Sequence, residues 1–217
     1  MNLSLHSGPS GLPYALATPE GQAPSGGWPL LLFLHGAGER GADQRQVRSG
    51  LYPAVLEAEA RWPALIAMPQ CPEGRSWSGA NSVEDAVVAL LDQLEAEHET
   101  DPERLYLTGL SMGGHGSWSL ACRFPQRFAA VVPICGGGDS FAVMRNLGKM
   151  PIWSFHGSAD SVIPVGSSRA LVDSLARAGN QLSRHTEYPG VGHACWDMAY
   201  RELGLAEWIF SHRRAAD

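Results

Sequence analysis

The sequence predicts an α/β fold, with a mostly parallel central sheet and helices on both faces, formed by a single domain over residues 1–217. Strand-like and helix-like patterns alternate along the chain, as they do where helices join parallel strands. The strand-like runs are continuously apolar, as expected of strands that are covered on both faces. A chain of 217 residues is long enough to bury a core without disulfides or metals.

Six segments have the length and composition of strands. The five apolar ones lie at residues 30–34, 64–68, 105–108, 130–134 and 152–155. The sixth, at residues 185–188, is more polar, which predicts a position nearer the edge of the sheet.

The clearest helix candidate spans residues 83–97. Its apolar residues recur at the helical spacing, namely Val83, Val87, Leu90, Leu91 and Leu94. Asn81 followed by Glu84 resembles a capping box at its start, and Pro102 excludes its continuation. Further helices are predicted near residues 44–59, 112–123, 167–178 and 196–212.

Composition excludes several classes of protein. The formal net charge of −6 argues against nucleic-acid binding, which requires a basic face. The longest apolar run, residues 29–34, is far shorter than the roughly 18 residues of a membrane span, and the N-terminus lacks the features of a secretory signal. Cys71, Cys122, Cys135 and Cys195 form no CxxC pair. We therefore expect no metal site and reduced thiols in a cytoplasmic protein.

The strongest chemical signal is the pentapeptide Gly-Leu-Ser-Met-Gly at residues 109–113. It lies between a predicted strand and a predicted helix, which is the context that a G-x-S-x-G nucleophile elbow requires. The glycines allow the tight turn that presents Ser111. The helix that follows directs backbone N–H groups toward the place where negative charge develops during attack on a carbonyl.

A serine needs a base, and in this type of site the chain order is serine, acid, histidine. His193 fits because it lies in a Gly- and Pro-rich loop after the last strand candidate. Asp160 follows the strand candidate at 152–155 and is the favoured acid, which would fix the tautomer of His193. Asp139, after the preceding strand, is the alternative acid. An aspartate at either position can also be a simple turn or helix-cap residue.

The segment after the first apolar strand, residues 35–41, is the predicted oxyanion loop. An oxyanion needs two converging donors, and we expect the backbone N–H groups of Met112 and Ala37. The same loop matches the dinucleotide fingerprint G-x-G-x-x-G at residues 36–41. That interpretation is disfavoured because the next strand candidate ends without the acidic residue that binds the ribose.

The string LHGAGERG at residues 34–41 resembles the oxyanion loop of small bacterial carboxylesterases and predicted peptidases. These proteins belong to the phospholipase/carboxylesterase and dienelactone-hydrolase branch of the α/β-hydrolases. Segments 66–77, 108–114, 133–138, 155–157 and 188–193 extend the likeness, which covers about residues 29–212.

The resemblance implies an α/β-hydrolase fold and a serine esterase without a cofactor. It places Ser111, Asp160 and His193 at the triad positions and supports Ala37 and Met112 as oxyanion donors. Dienelactone hydrolases proper use a cysteine nucleophile, so the serine here argues against the lactone reaction. For the adjacent Glu39 and Arg40 of the loop we expect only a stiffening ion pair.

The sequence offers no room for a substantial cap domain, because only residues 136–150 separate two strand candidates. An open site favours short-chain or aryl carboxylic esters. Trp77 and Trp196 are candidates for aromatic walls of the substrate pocket, although each could equally be a core residue. The alternatives are a peptidase or a (lyso)phospholipase or thioesterase on the same triad and, more distantly, a binding protein on an inactive hydrolase fold.

Overall fold

A computed structural model describes residues 1–214 and contains one eight-stranded sheet. The strands are β1 (Asn2–Ser7), β2 (Pro13–Thr18), β3 (Trp28–Leu34), β4 (Leu65–Pro69), β5 (Thr100–Leu110), β6 (Ala130–Ile134), β7 (Ile152–Gly157) and β8 (Ser183–Tyr188). Their order in the sheet is β1-β2-β4-β3-β5-β6-β7-β8. The six strands β4, β3, β5, β6, β7 and β8 are parallel to one another. The pairs β1–β2 and β2–β4 are antiparallel. The predicted mostly parallel sheet is thus confirmed, with the polar strand β8 at one edge.

Helices cover both faces of this sheet. They are α1 (Leu51–Glu57), α2 (Glu84–Glu97), α3 (Met112–Arg123), α4 (Ser140–Asn146), α5 (Gly166–Arg177), α6 (Trp196–Tyr200) and α7 (Leu205–Ser211). Apolar residues of α2, α3, α4 and α5 pack in the core on one face. Residues of α1, α6 and α7 pack in the core on the other face. The helices therefore supply the cover that the apolar strands require.

Two predicted helices are shorter than their sequence pattern suggests. The segment at 44–59 has a 3₁₀ turn (Arg45–Arg48) and then α1, separated at Gly50 with φ of 68°. The segment at 196–212 is divided into α6 and α7 before Gly204, whose φ is 80°. Both glycines adopt the left-handed region, which ends a helix and starts a new direction.

The predicted capping box at the start of α2 is wrong. The helix begins after Val83, which provides no side-chain cap. The Glu84 carboxylate instead accepts a hydrogen bond from Ser119 Oγ at 2.5 Å and pairs with Arg123 at 3.1 Å. Tertiary contacts with α3 thus replace the local cap.

The connection between β6 and β7 contains α4 and no larger insertion, as expected for a fold without a substantial cap domain. Within residues 1–214, no helix has the length and apolar character needed to cross a membrane. The carboxyl ends of β3, β5, β6, β7 and β8 lie along one edge of the sheet. Ligands of such sheets bind beyond this edge, and the predicted site residues follow these strands.

Candidate active site

Ser111 occupies a strained turn between β5 and α3. Its φ and ψ angles are 54° and −113°, a conformation that non-glycine residues rarely adopt. The backbone N–H of Ser111 donates to the carbonyl oxygen of Ile134 at 2.9 Å, which holds the turn against β6. Strain of this kind persists only where the surrounding structure enforces it, and it concentrates at functional sites.

The glycines on either side of the turn are required by contact with backbone. A Cβ atom on Gly109 would collide with the carbonyl group of Gly113, and one on Gly113 would collide with the carbonyl oxygen of Leu34. Because these neighbours are backbone atoms, they cannot rotate away. The elbow therefore packs α3 directly against β3 and β5, and the sequence pattern predicts it for this physical reason.

The structure brings the three predicted triad side chains together. His193 Nε2 lies 2.8 Å from Ser111 Oγ, and His193 Nδ1 lies 2.7 Å from Asp160 Oδ2. The side chain of His193 is 19% exposed, whereas that of Asp160 is fully buried. An alcohol, an imidazole and a carboxylate thus form a continuous hydrogen-bonded line from the surface inward.

Four N–H groups surround the Asp160 carboxylate. Besides His193, the backbone amides of Val162 and Ile163 donate to Oδ1 at 2.8 and 2.9 Å, and His156 Nε2 lies 3.1 Å from Oδ2. Burial acts to raise the pKa of Asp160, but the hydrogen bonds from His193, Ile163 and Val162 outweigh it and hold the pKa below its ordinary value. The carboxyl group therefore stays ionised at neutral pH.

Asp139, the alternative acid, has a different role. Its carboxylate is exposed and accepts hydrogen bonds from the backbone amides of Phe141 and Ala142 at 2.8 and 3.2 Å. Asp139 is thus the N-cap of α4. The turn-or-cap interpretation applies to this residue, and the structure provides Asp160 with the contact to His193.

The predicted oxyanion loop lies beside the nucleophile. A Cβ atom on Gly36 would lie 2.9 Å from Leu110 Cδ1 and 3.7 Å from Ser111 Cβ, so the loop passes close to the elbow and a side chain here would displace Leu110. Ala37 is exposed and starts a 3₁₀ turn, and Met112 is the first residue of α3. Among residues 1–214, neither the Ala37 amide nor the Met112 amide donates a hydrogen bond. This is the state that the prediction requires of two oxyanion donors.

A buried network supports this loop from below. His35, 0% exposed, has its Nδ1 2.6 Å from the carbonyl oxygen of Gly36, and its Nε2 accepts the amide hydrogen of Cys71 at 2.9 Å. Trp77 Nε1 donates to the carbonyl oxygen of His35 at 2.8 Å, and Gln70 Nε2 donates to that of Glu39 at 2.9 Å. The sequence analysis missed this network, although a histidine at the end of a buried strand is a signal of it.

The expected ion pair between Glu39 and Arg40 is absent from the described residues. Arg40 Nε instead donates to the carbonyl oxygen of Arg75 at 2.6 Å. The guanidinium therefore ties the loop to the segment after β4 rather than to its own neighbour.

The two tryptophans have different positions. Trp77 is 0% exposed, so it does not wall an open pocket, and that expectation is corrected. Its indole belongs to the core and to the support of His35. Trp196 is half-buried and its ring packs edge-to-face on His193, with the ring centroids 5.6 Å apart. Trp196 remains a candidate for substrate contact.

One cluster has ligand atoms close enough for a metal ion. Cys135 Sγ and ligand atoms of Asp160 and His193 all lie within 4.8 Å of one another. However, Asp160 and His193 are already hydrogen-bonded to each other, and Cys135 is 0% exposed. Hydrogen bonding with Cys195 and burial raise the pKa of the Cys135 thiol, which disfavours the thiolate that a metal binds. The donor set fits a buried triad better than a metal centre.

The sheet order, with a serine on the strand–helix elbow and an acid and a histidine on later loops, defines an α/β-hydrolase. The model of the dienelactone hydrolase family matches residues 52–203. The chain therefore belongs to the dienelactone hydrolase family, as its resemblance predicts.

Three proteins to which the chain is similar are named as esterases. It is 34% identical over 184 residues to NocK of Nocardia uniformis subsp. tsuyamanensis, named as an esterase, covering 79% of this chain and 49% of NocK. It is 28% identical over 210 residues to feruloyl esterase C of Emericella nidulans, covering 88% and 75%. The crystal structure of a thermostable esterase matches with a TM-score of 0.83 and 36% identity, over 98% of this chain and 63% of that one. The chain thus spans about half of NocK and under two thirds of the thermostable esterase.

Proposed function

We propose that the protein is a serine carboxylesterase in which Ser111 is the nucleophile, His193 the general base and Asp160 the supporting acid. The observation that carries the proposal is the pair of hydrogen bonds through His193, at 2.8 Å to Ser111 Oγ and 2.7 Å to Asp160 Oδ2. A base at this distance can accept the hydroxyl proton during attack. The esterase names of similar proteins support the same class of reaction.

In the proposed reaction, His193 Nε2 takes the proton of Ser111 as Oγ attacks the ester carbonyl carbon. The N–H groups of Ala37 and Met112 stabilise the negative charge that develops on the carbonyl oxygen. His193 then donates its proton to the departing alcohol, which leaves an acyl group on Ser111. A water molecule, activated by His193, hydrolyses this acyl-enzyme. Asp160 keeps the Nδ1–H tautomer of His193 and stabilises its charged form.

For the substrate we propose short-chain or aryl carboxylic esters. The short connection between β6 and β7 supports an open site, and Trp196 offers an aromatic surface beside His193. We further propose a small-molecule ester as the partner and the cytoplasm as the location, which the four free thiols support.

The proposal is tested by hydrolysis of p-nitrophenyl acetate, butyrate and longer esters, together with labelling by a fluorophosphonate. We expect turnover that falls with acyl length and a covalent adduct on Ser111. Ser111→Ala should abolish both, whereas Ser161→Ala, at an exposed serine beside Asp160, should change neither. Hydrolysis that survives in Ser111→Ala would refute the assignment of the nucleophile.

Amide analogues of the same acyl groups distinguish an esterase from a peptidase. An amine leaving group must be protonated before it departs, so amides demand more of the general acid than esters do. We expect ester turnover to exceed amide turnover by a wide margin. Turnover of the amides without turnover of the esters would overturn the esterase proposal.

A further inference from the structure

A second histidine contacts the carboxylate that His193 uses. His156 lies near the end of β7 and is 0% exposed. Its Nε2 lies 3.1 Å from Asp160 Oδ2 and 2.9 Å from the carbonyl oxygen of Ile163. An ionised carboxylate and a carbonyl oxygen can only accept hydrogen bonds, so His156 Nε2 carries a proton and donates it.

The other ring nitrogen of His156 is held as well. Its Nδ1 lies 2.5 Å from Ser168 Oγ on α5, and Ser168 Oγ lies 3.1 Å from the carbonyl oxygen of Gly136. Both nitrogens of the ring are thus held, Nδ1 by Ser168 and Nε2 by the loop that contains Asp160. A rigid ring can hold its partner in one orientation.

The two oxygens of Asp160 are held differently. Oδ1 accepts the backbone amides of Val162 and Ile163. Oδ2 faces His193, and within residues 1–214 its only other donor is His156. The carboxylate side chain is 0% exposed, so the protein itself has to supply its hydrogen bonds.

We propose that His156 is a positioning residue that holds Asp160 Oδ2 in line with His193 Nδ1. The inference rests on the proposed function, because it assigns His156 to the same triad. Without the donor from His156, the carboxylate loses one of four hydrogen bonds and gains freedom to rotate. A misdirected acid no longer selects the tautomer of His193 that activates Ser111. Because His156 is buried, its loss should lower kcat and leave KM unchanged.

Two amide substitutions separate the contacts of the ring. In His156→Asn the side-chain amide can take the place of Nδ1 and contact Ser168, but it is too short to reach Asp160. In His156→Gln the longer side chain can take the place of Nε2 and donate to Asp160. We expect about a tenfold lower kcat in His156→Asn, equivalent to about 1.4 kcal/mol, and a kcat within about threefold of the parent in His156→Gln.

The measurements are kcat and KM for a p-nitrophenyl ester and the rate of fluorophosphonate labelling at Ser111. The labelling rate should follow kcat, since it depends on the same nucleophile. Equal losses in His156→Asn and His156→Gln, or no loss in His156→Asn, would overturn the positioning role. A merely structural role predicts equal losses, because both variants bury an amide at the same position.

The unmodified protein provides a test that does not depend on activity or on the folding of a variant. Long-range ¹H–¹⁵N NMR of the histidine rings reports which nitrogen carries the proton. We expect a proton on Nε2 of His156, and a neutral ring protonated only on Nδ1 would overturn the inference. Failure of the proposed function is distinguishable, since it would appear as hydrolysis retained in Ser111→Ala.

Discussion

Acidification should destabilise the protein through His35, which supports the predicted oxyanion loop. A neutral ring with its proton on Nδ1 satisfies both contacts, donating to Gly36 and accepting from Cys71. A proton on Nε2 would face the amide hydrogen of Cys71 and break the second contact. Burial, with the nearby positive charge of Arg40, lowers the pKa of His35 from 6.5 to about 4.

The sign of the effect follows from proton binding. Between pH 6.5 and about 4 the unfolded chain protonates His35, while the folded protein keeps it neutral. The stability that the neutral His35 contributes is therefore fully present above pH 6.5, and it is lost as the pH falls toward the pKa of the folded protein. Each pKa unit is equivalent to about 1.4 kcal/mol. The contribution of His35 to the free energy of unfolding should fall by about 2.5 kcal/mol between about pH 7.5 and about pH 4.5.

The assay is urea unfolding followed by tryptophan fluorescence at the two pH values, with a reductant present to protect the four thiols. The control is His35→Gln, whose Oε1 can accept the Cys71 amide hydrogen but does not titrate in this range. Subtracting the pH dependence of the variant from that of the parent removes the contributions of the other histidines. We expect a residual difference of about 2.5 kcal/mol.

Two results would refute the reasoning. The first is an equal pH dependence of unfolding in the parent and in His35→Gln, which would mean that His35 has the same pKa in both states. The second is a gain in stability of the parent relative to His35→Gln at the lower pH, which would require a folded pKa above 6.5.

Three further predictions concern the acid, the elbow and the loop. Asp160→Asn should lower kcat by a factor on the order of 10⁴. Asp139→Asn should change kcat less than about twofold, because asparagine is an equally good helix cap. Steady-state kinetics of both variants test this, and equal losses of kcat would contradict the assignment of the acid. Gly113→Ala should destabilise the fold by about 3 kcal/mol or more, since its Cβ meets the Leu34 carbonyl, and a chemical denaturation midpoint close to that of the parent would contradict it. Trp77→Phe should cost about 1–3 kcal/mol by leaving the buried carbonyl oxygen of His35 unpaired, measured by the same denaturation.

Sequence patterns predict the elements whose burial leaves a regular apolar pattern in the chain. The buried strands β3, β4 and β6 are continuous apolar runs, and α3 matches its predicted bounds at both ends. The strand β1 was missed because all of its residues are exposed, and the sequence analysis also missed β2, although its four central residues are buried. An exposed edge strand has no apolar run to indicate it.

Errors in the helices have a common cause. Apolar spacing continues across Gly50 and Gly204, so the pattern alone does not show that each segment is divided there. In the structure Ser49 is extended before Gly50, and α6 ends at Tyr200, before the left-handed Gly204 begins α7. In the same way Asn81 and Glu84 have the spacing of a capping box, but Glu84 binds Ser119 across the structure instead. Local spacing does not reveal which partner a side chain takes from another element.

The same distinction between chain order and tertiary contacts applies to the residues of the candidate site. The order serine, acid, histidine and the position of each after a strand are properties of the chain, so sequence reasoning reached Ser111, Asp160 and His193. The supporting residues are defined by contacts between distant elements, and the buried pairs His35–Cys71 and His156–Asp160 exist only when the strands are in register. The three proposed triad residues are therefore the easier ones to predict. The residues that hold the triad in place can be identified only from a structure, and substituting them tests how the site keeps its geometry.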